Sequence, residues 1–184
     1  MRSSPSGQTG LSRCFPGSWG RFRHPDLFDW LTLLAILFYI LIFTYLSLVR
    51  YNTLQLEYDL AIFHQALWNT ATHGELLANS IEMADHHMVA SSHFGVHFSP
   101  ILFLIVPLYL LAPVPQTLLV TQTLLLALGA FPLYLLGREI LGKETGCLVA
   151  GLYLIYSPLH GVNLYDFHEV AFVPLLVGST LYGF

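Results

Sequence analysis

The feature that most constrains the fold is an apolar run of 19 uncharged residues, Leu31 to Val49. An α-helix rises about 1.5 Å per residue, so this run is roughly 28 Å long, which matches one bilayer hydrocarbon core. The run is longer than the core of a signal peptide, and no small-residue cleavage site follows it. It therefore predicts an uncleaved membrane anchor helix.

The composition extends this prediction to the whole chain. Of the 184 residues, 55% are hydrophobic and only 10% are charged, whereas soluble domains average about a quarter charged residues. So many apolar side chains cannot be buried in one water-soluble core. We therefore predict an all-α, polytopic integral membrane bundle whose surroundings are the lipid bilayer.

Charge and cysteine content exclude other classes. The formal net charge of −4 gives no indication of a nucleic-acid partner. The two cysteines, Cys14 and Cys147, have no neighbours at metal-ligand spacing and do not indicate a disulfide framework.

The N-terminal residues 1–28 are predicted to form a disordered cytoplasmic tail, followed by a membrane domain over 29–184. The first 25 residues are rich in Ser, Gly and Pro, with four arginines and no acid. Arginines before the anchor helix place the N-terminus in the cytoplasm by the positive-inside rule. A transit peptide has a similar composition and is the alternative.

The remaining membrane domain divides by apolar runs and charge. Residues 50–99 carry six histidines and five acids but only one strong base, Arg50, which is typical of an external loop. The predicted segments are a membrane helix at 31–49, an external loop with interfacial helices at 50–115, a membrane helix at 116–137, a cytoplasmic turn at 138–144, a membrane helix at 145–162, an external loop at 163–169, and the start of another membrane helix at 170–184.

Residues 100–112 leave two topologies open. If this segment crosses the membrane, Arg138 and Lys143 fall outside and Asp166 falls inside. If it lies in the interface, those bases fall inside, and Asp166 faces outside together with Asp59. The loop charges and the short length of the segment favour the second topology.

In the favoured topology two polar clusters share one side of the membrane. Ionisable groups near a bilayer are costly, and they are usually functional when they face a protein cavity. The first cluster contains Asp59, His64, Glu82, Asp85, His86, His87, His93 and His97, and the second contains Asp166, His168 and Glu169.

Each cluster also has a structural interpretation. Asp59 precedes a helical pattern and could serve only as its N-cap. His93 and His97 are four residues apart, as a two-histidine metal pair on a helix requires, but Gly95 weakens that helix. The other residues could simply belong to solvated loops.

Acids on the outer side of a membrane suit glycosyl transfer from a lipid-carried sugar. A carboxylate can act as a general base on the acceptor. A divalent cation held by acids and histidines can neutralise the leaving phosphate. A transporter could use the same residue types as a proton relay.

Three segments resemble a known membrane family. These segments, "YDLAIFHQALWNT", "HFSPILFLIVPLYLL" and "GVNLYDFHEVAF", are similar to the family called domain of unknown function 2079. That family resembles the GT-C glycosyltransferases, which include the protein O-mannosyltransferases and the aminoarabinose transferases of lipid A.

The resemblance implies an order of functional parts. Asp59 takes the place of the catalytic acid early in the first external loop, and Asp166 that of a second external acid. "FSP", residues 98–100, takes the place of a "KPP"-like segment, with His97 where the family has an acid. "GREILGK" resembles the basic turn between membrane helices.

The resemblance also implies roles. Asp59 would be the base and Asp166 its partner in orienting the acceptor, with a polyprenyl-phosphate sugar as donor. From the residue types we further predict that His64, His168 and Glu169 contact substrate or phosphate and that His97, Glu82 and His93 bind a divalent cation.

The GT-C enzymes have many more membrane helices than this chain. We therefore expect the N-terminal part of a longer protein, inactive alone, in a prokaryotic plasma membrane. The alternative is a non-enzymatic transporter or assembly module whose histidine-rich external loop binds metal.

Overall fold

The structure, a computed structural model, describes residues 25–85 and 92–184. In this part of the chain 80% of the residues are helical and none lies in a β-strand, which confirms the predicted all-α membrane class. The α-helices are α1 (Leu27–Asn52), α2 (Asp59–His73), α3 (Ser80–Asp85), α4 (Val106–Leu111), α5 (Pro115–Leu128), α6 (Ala130–Leu141), α7 (Lys143–Leu154), α8 (Ser157–Tyr165) and α9 (Phe172–Gly183). Three 3-10 turns, His93–Gly95, Pro100–Leu104 and Glu169–Ala171, connect them.

Helix α1 begins at a capping box. The Asp26 side chain accepts hydrogen bonds from the first-turn amides, while the Asp29 side chain accepts one from the Asp26 amide. The predicted disordered tail covers residues 1–28. Its residues 1–24 lie outside the described residues, and its last two residues belong to α1, which starts at Leu27. One stripe of α1, including Ile36 and Tyr39, is buried, whereas the large apolar side chains on its other faces are exposed. Such a helix suits a lipid environment on those faces.

Two helices in the described ranges are long and apolar enough to cross a membrane. They are Leu27–Asn52 and the continuous span Pro115–Leu141, formed by α5 and α6. Helices α7 and α8 form a third such span if they are counted together, although they are bent by 45° just before Pro158. The bend lies where proline removes a backbone donor from the helix.

Most of the segment predicted as a cytoplasmic turn, residues 138–144, is helical. Helix α6 continues to Leu141, and only Gly142 interrupts the helices, with a φ of 96° that favours glycine. Arg138 stays helical, and its Nη1 donates to Asp29 Oδ1 of α1 at 2.5 Å. Lys143 Nζ lies 2.9 Å from Asp26 Oδ2. We call this end of the bundle, with Asp26, Asp29, Arg138 and Lys143, the basic end.

The segment between α1 and α5 packs on the opposite end. Helix α2 lies against α4 and α5, around buried apolar side chains that include Leu67, Leu102 and Tyr109. Within residues 100–112 the longest regular element is α4, whose six residues span about 9 Å. This segment therefore contains no helix long enough to cross a bilayer.

Candidate functional site

A cavity of about 450 Å³ opens at the end of the bundle opposite the basic end. Its walls come from α2, α3, the turn at 93–97 and the segment that follows α8. We call it the polar cavity, and it is lined by Asp59, Glu82, Glu169, His93, His97, His168, Tyr58, Ile62, Phe63, Val96 and Val170. It brings together six of the eight predicted site residues.

Asp59 is the first residue of α2 and does not cap it. The N-cap is Tyr58, and no side chain caps this helix. The Asp59 carboxylate instead lies beside His168, with 3.1 Å between Oδ2 and Nε2. The two side chains are 27% and 33% exposed, so a ligand in the cavity can reach both.

Gln122 of α5 holds the segment that carries His168. Its side chain is completely buried. Its Nε2 donates to the backbone oxygen of Asp166 at 2.7 Å, and its Oε1 accepts from the backbone amide of His168 at 2.8 Å. One amide group on a membrane helix therefore sets the position of the histidine that contacts Asp59.

Asp166 lies behind the cavity wall rather than in it. Its side chain is 1% exposed, and Oδ1 accepts from the Phe167 amide at 2.8 Å. Among the described residues Oδ2 has no hydrogen-bond partner. Burial raises the pKa of Asp166, and the charge of Asp59 adds to this effect, while the nearby amides of Phe167 and Leu60 oppose it. Asp166 is thus placed to position neighbouring groups rather than to contact a ligand in the polar cavity.

Glu169 links the loop after α8 to the "FSP" segment, residues 98–100. The Ser99 hydroxyl donates to Glu169 Oε1 at 2.8 Å, so the "FSP" segment contacts the loop after α8. His97 is exposed at the cavity, and its ring centroid lies 5.5 Å from that of His93.

Glu82 and His93 form a buried pair in the cavity wall. Glu82 Oε1 lies 2.8 Å from His93 Nδ1, and Glu82 Oε2 accepts from Asn79 Nδ2 at 2.6 Å. Both carboxylate oxygens are therefore already bound by protein groups. The Nε2 atom of His93 is buried and has no hydrogen-bond partner in the described ranges.

No group of three histidine, cysteine or acidic side chains is arranged to hold a metal ion in residues 25–85 and 92–184. Of the predicted ligands, Glu82 and His93 form a hydrogen-bonded pair, and the ring of His97 lies beside that of His93. Asp85 ends α3, and His86 and His87 lie outside the described residues. The divalent cation stays a prediction.

His64 lies on another face of α2, away from the polar cavity. Its Nδ1 is 2.6 Å from the Tyr109 hydroxyl oxygen, and burial lowers the pKa of His64. It lines a second cavity of about 300 Å³. This second cavity is mainly apolar and is lined by Tyr51, Leu54, Leu56, Glu57, Leu60, Ala61, His64 and Pro115.

A family described as "Predicted membrane protein (DUF2079)" matches residues 50–184. The chain belongs to this family. No curated protein and no solved structure matches the chain. The DUF2079 match contains every residue that lines either cavity, and together with the apolar helices it confirms the membrane localisation.

Three residues of the DUF2079 region organise the site although their roles were not predicted from the sequence, namely Asn79, Ser99 and Gln122. Gln122 had a detectable signal, because an amide side chain within an apolar membrane helix needs buried partners. Asn79 lies in polar loop sequence, where nothing distinguishes it from solvated residues. Ser99 lies within the "FSP" segment that the sequence singled out, but its bond to Glu169 depends on packing between distant segments. The assembled site offers a partly exposed carboxylate, imidazoles in its lining and a cavity of about 450 Å³.

Proposed function

We propose that this protein acts in glycosyl transfer from a polyprenyl-phosphate sugar to an acceptor at the outer face of the membrane. The observation that carries the proposal is the Asp59–His168 pair at 3.1 Å, partly exposed to the polar cavity. The resemblance of the sequence motifs to the GT-C glycosyltransferases supports the same conclusion.

Asp59 is the base in this mechanism. Its carboxylate takes the proton of the acceptor hydroxyl as that oxygen attacks the anomeric carbon. The bond between the anomeric carbon and the phosphate oxygen breaks, and polyprenyl phosphate leaves with the electron pair. His168 holds Asp59 in place, and the buried Asp166 is a positioning residue behind them.

The donor phosphate requires positive charge, and Arg50 supplies it in this proposal. Arg50 is the only lysine or arginine in residues 50–137. One of its terminal nitrogens donates to the Gln55 backbone oxygen at 2.8 Å, while its buried Nε has no partner in the described part of the chain. Tyr51 and Leu54, which follow Arg50, line the second cavity, where apolar walls suit the first units of the polyprenyl chain.

The test is donor turnover by Asp59→Asn in membranes of cells that express the full-length gene. A panel of radiolabelled polyprenyl-phosphate hexoses and pentoses is supplied, and release of polyprenyl phosphate is measured. Loss of a general base predicts a decrease of about 100-fold or more. Glu75→Gln is the control, because Glu75 is exposed and lines neither cavity.

Two outcomes argue against this function. Turnover that survives Asp59→Asn removes Asp59 as the base. Failure of the wild-type protein to turn over any donor favours the alternative, a transporter or an assembly module with a metal-binding loop.

A further inference from the structure

The polar cavity has a charge that suits a neutral ligand. Three carboxylates line it, and no lysine or arginine does so among the described residues. Arg138 and Lys143 are held at the basic end by Asp29 and Asp26. Because like charges repel, a bare phosphate is a poor occupant of this cavity. A hydroxyl-rich uncharged group fits better.

The Glu82–His93 pair is held rigidly in the wall of that cavity. The Glu82 amide donates to Asn79 Oδ1 at 2.8 Å, and Asn79 Nδ2 donates back to the Glu82 carboxylate. The His93 amide donates to the Leu77 backbone oxygen at 2.8 Å. The Phe63 ring meets the His93 ring edge-on at 5.0 Å. These contacts fix the orientation of the imidazole.

The free side of the imidazole is Nε2. A carboxylate can only accept, so the hydrogen on the Glu82 side belongs to Nδ1, and Nε2 of the neutral ring is an acceptor. The His93 side chain is 2% exposed, and Nε2 has no hydrogen-bond partner in the described residues. Buried polar atoms in proteins are normally paired, so an unpaired one on a residue that lines a cavity calls for a partner from that cavity.

We propose that His93, oriented by Glu82, is a recognition site for one hydroxyl group of the transferred sugar. The Nε2 atom accepts the hydrogen of that hydroxyl, on the wall of the polar cavity that Glu82 and His93 form. This inference rests on the proposed function, because it assigns the sugar part of the donor to the polar cavity. A site built to bond a hydroxyl discriminates strongly against a substrate that lacks it.

The test separates recognition from support of the fold. In His93→Asn, the asparagine Nδ2 takes the place of the ring Nδ1, so the bond to Glu82 can persist while Nε2 is lost. His73→Asn is the control, because His73 is exposed and lines neither cavity. The full chain in nanodiscs is titrated with methyl glycosides of hexoses and pentoses and with their monodeoxy analogues, and binding is followed by saturation-transfer NMR.

We expect wild type and His73→Asn to bind one glycoside and to bind one of its monodeoxy analogues at least tenfold more weakly. His93→Asn should bind the parent glycoside at least tenfold more weakly and no longer distinguish that analogue. Its unfolding midpoint should stay near that of the wild type.

Four results overturn the inference. They are unchanged binding and discrimination in His93→Asn, no binding of any glycoside by the wild type, complete displacement of the glycoside by equimolar inorganic phosphate, and loss of binding in EDTA, which would make His93 a metal ligand. Because this experiment requires no transfer, it also separates the two proposals. If glycoside binding depends on His93 but turnover is unchanged in Asp59→Asn, the His93 site is retained and Asp59 is not the base.

Discussion

The Nε2 atom of His168 lies 3.1 Å from the Oδ2 atom of Asp59, and this contact joins the start of α2 to the loop after α8. At the other end of α1, Asp29 accepts from Arg138 of α6. The two contacts together define the two ends of the bundle. Asp59, His168 and Asp166 lie at one end, and Arg138 and Lys143 lie at the other.

The orientation of this bundle is testable by thiol labelling. In a chain with Cys14 and Cys147 replaced, single cysteines at the exposed positions Tyr58, Tyr165 and Glu139 are treated on intact cells with a membrane-impermeant maleimide. We expect the first two to react and the third to react only after permeabilisation, because positive charge favours the cytoplasmic side.

The opposite pattern would place the N-terminus outside. Reaction of Tyr165→Cys and Glu139→Cys from the same side would contradict the structure, because Tyr165 and Glu139 lie at opposite ends of the bundle.

The two long membrane helices were predictable because their sequence signals are simple. The anchor helix and the span 115–141 each contain an uncharged apolar run of bilayer length. The loop charges favoured a topology in which Asp59 and Asp166 share one side. How deeply each of the two aspartates is buried was not predictable, since "YDLAIF" and "YDFHEV" look alike as sequences. Only packing shows that the Asp59 carboxylate reaches the polar cavity, whereas the Asp166 carboxylate is buried beneath it.

Gln122 should matter to the fold more than its position in an apolar helix suggests. Gln122→Leu leaves the His168 amide and the Asp166 backbone oxygen unpaired, and each buried unpaired group costs about 1–3 kcal/mol. We therefore expect a clear decrease in the thermal unfolding midpoint in nanodiscs.

Gln116→Leu is the matched control on the same helix, because the buried Oε1 of Gln116 has no partner in the described residues. That variant should be neutral or stabilising. Equal effects of the two substitutions would show that the Gln122 hydrogen bonds do not hold the His168 segment.

Asp166 should make the stability of the protein depend on pH. Burial raises the pKa of its carboxyl above the ordinary value of 3.8, so the folded state binds a proton more tightly than the unfolded state. The associated stability is present below the ordinary pKa and is lost as the pH rises through the folded-state pKa. Asp166→Asn should thus unfold a few degrees higher than the wild type at pH 7, and the difference should shrink toward pH 4.

Asp166→Ala provides the contrast, because it also removes the acceptor of the Phe167 amide and should be less stable than Asp166→Asn at every pH. A lower midpoint for Asp166→Asn than for the wild type at pH 7 would mean that a bound cation or donor stabilises the charged carboxylate.

The division of the histidines between two cavities was also beyond sequence analysis. His64 and Asp59 are five residues apart on α2, so a helical projection separates their directions but does not show what each faces. His64 bonds to Tyr109, and His93 bonds to Glu82 across a segment that is not described. Such partners depend on how α2, α3 and α4 pack, and no local spacing encodes that packing.

The close contact between α6 and α7 requires glycine at position 146. A Cβ atom at Gly146 would lie 2.6 Å from the Tyr134 backbone oxygen and 2.7 Å from the Arg138 amide nitrogen, whereas one at Gly151 would meet nothing within 4 Å. Backbone atoms cannot move aside like a flexible side chain, so Gly146→Ala must push the helices apart. We expect it to destabilise the protein by about 1–3 kcal/mol. Gly151→Ala should be neutral or stabilise it by up to about 1 kcal/mol.

The two variants differ by one methyl group at two positions of the same helix, so their thermal unfolding midpoints in nanodiscs are directly comparable. Because Arg138 lies on the α6 face that Gly146 touches, the Gly146→Ala variant should also weaken the ion pair between Arg138 and Asp29. Removing that pair first, with Asp29→Asn, should then make the cost of Gly146→Ala smaller than in the wild type. Additive effects would show that the close approach of α6 and α7 and the basic end are independent.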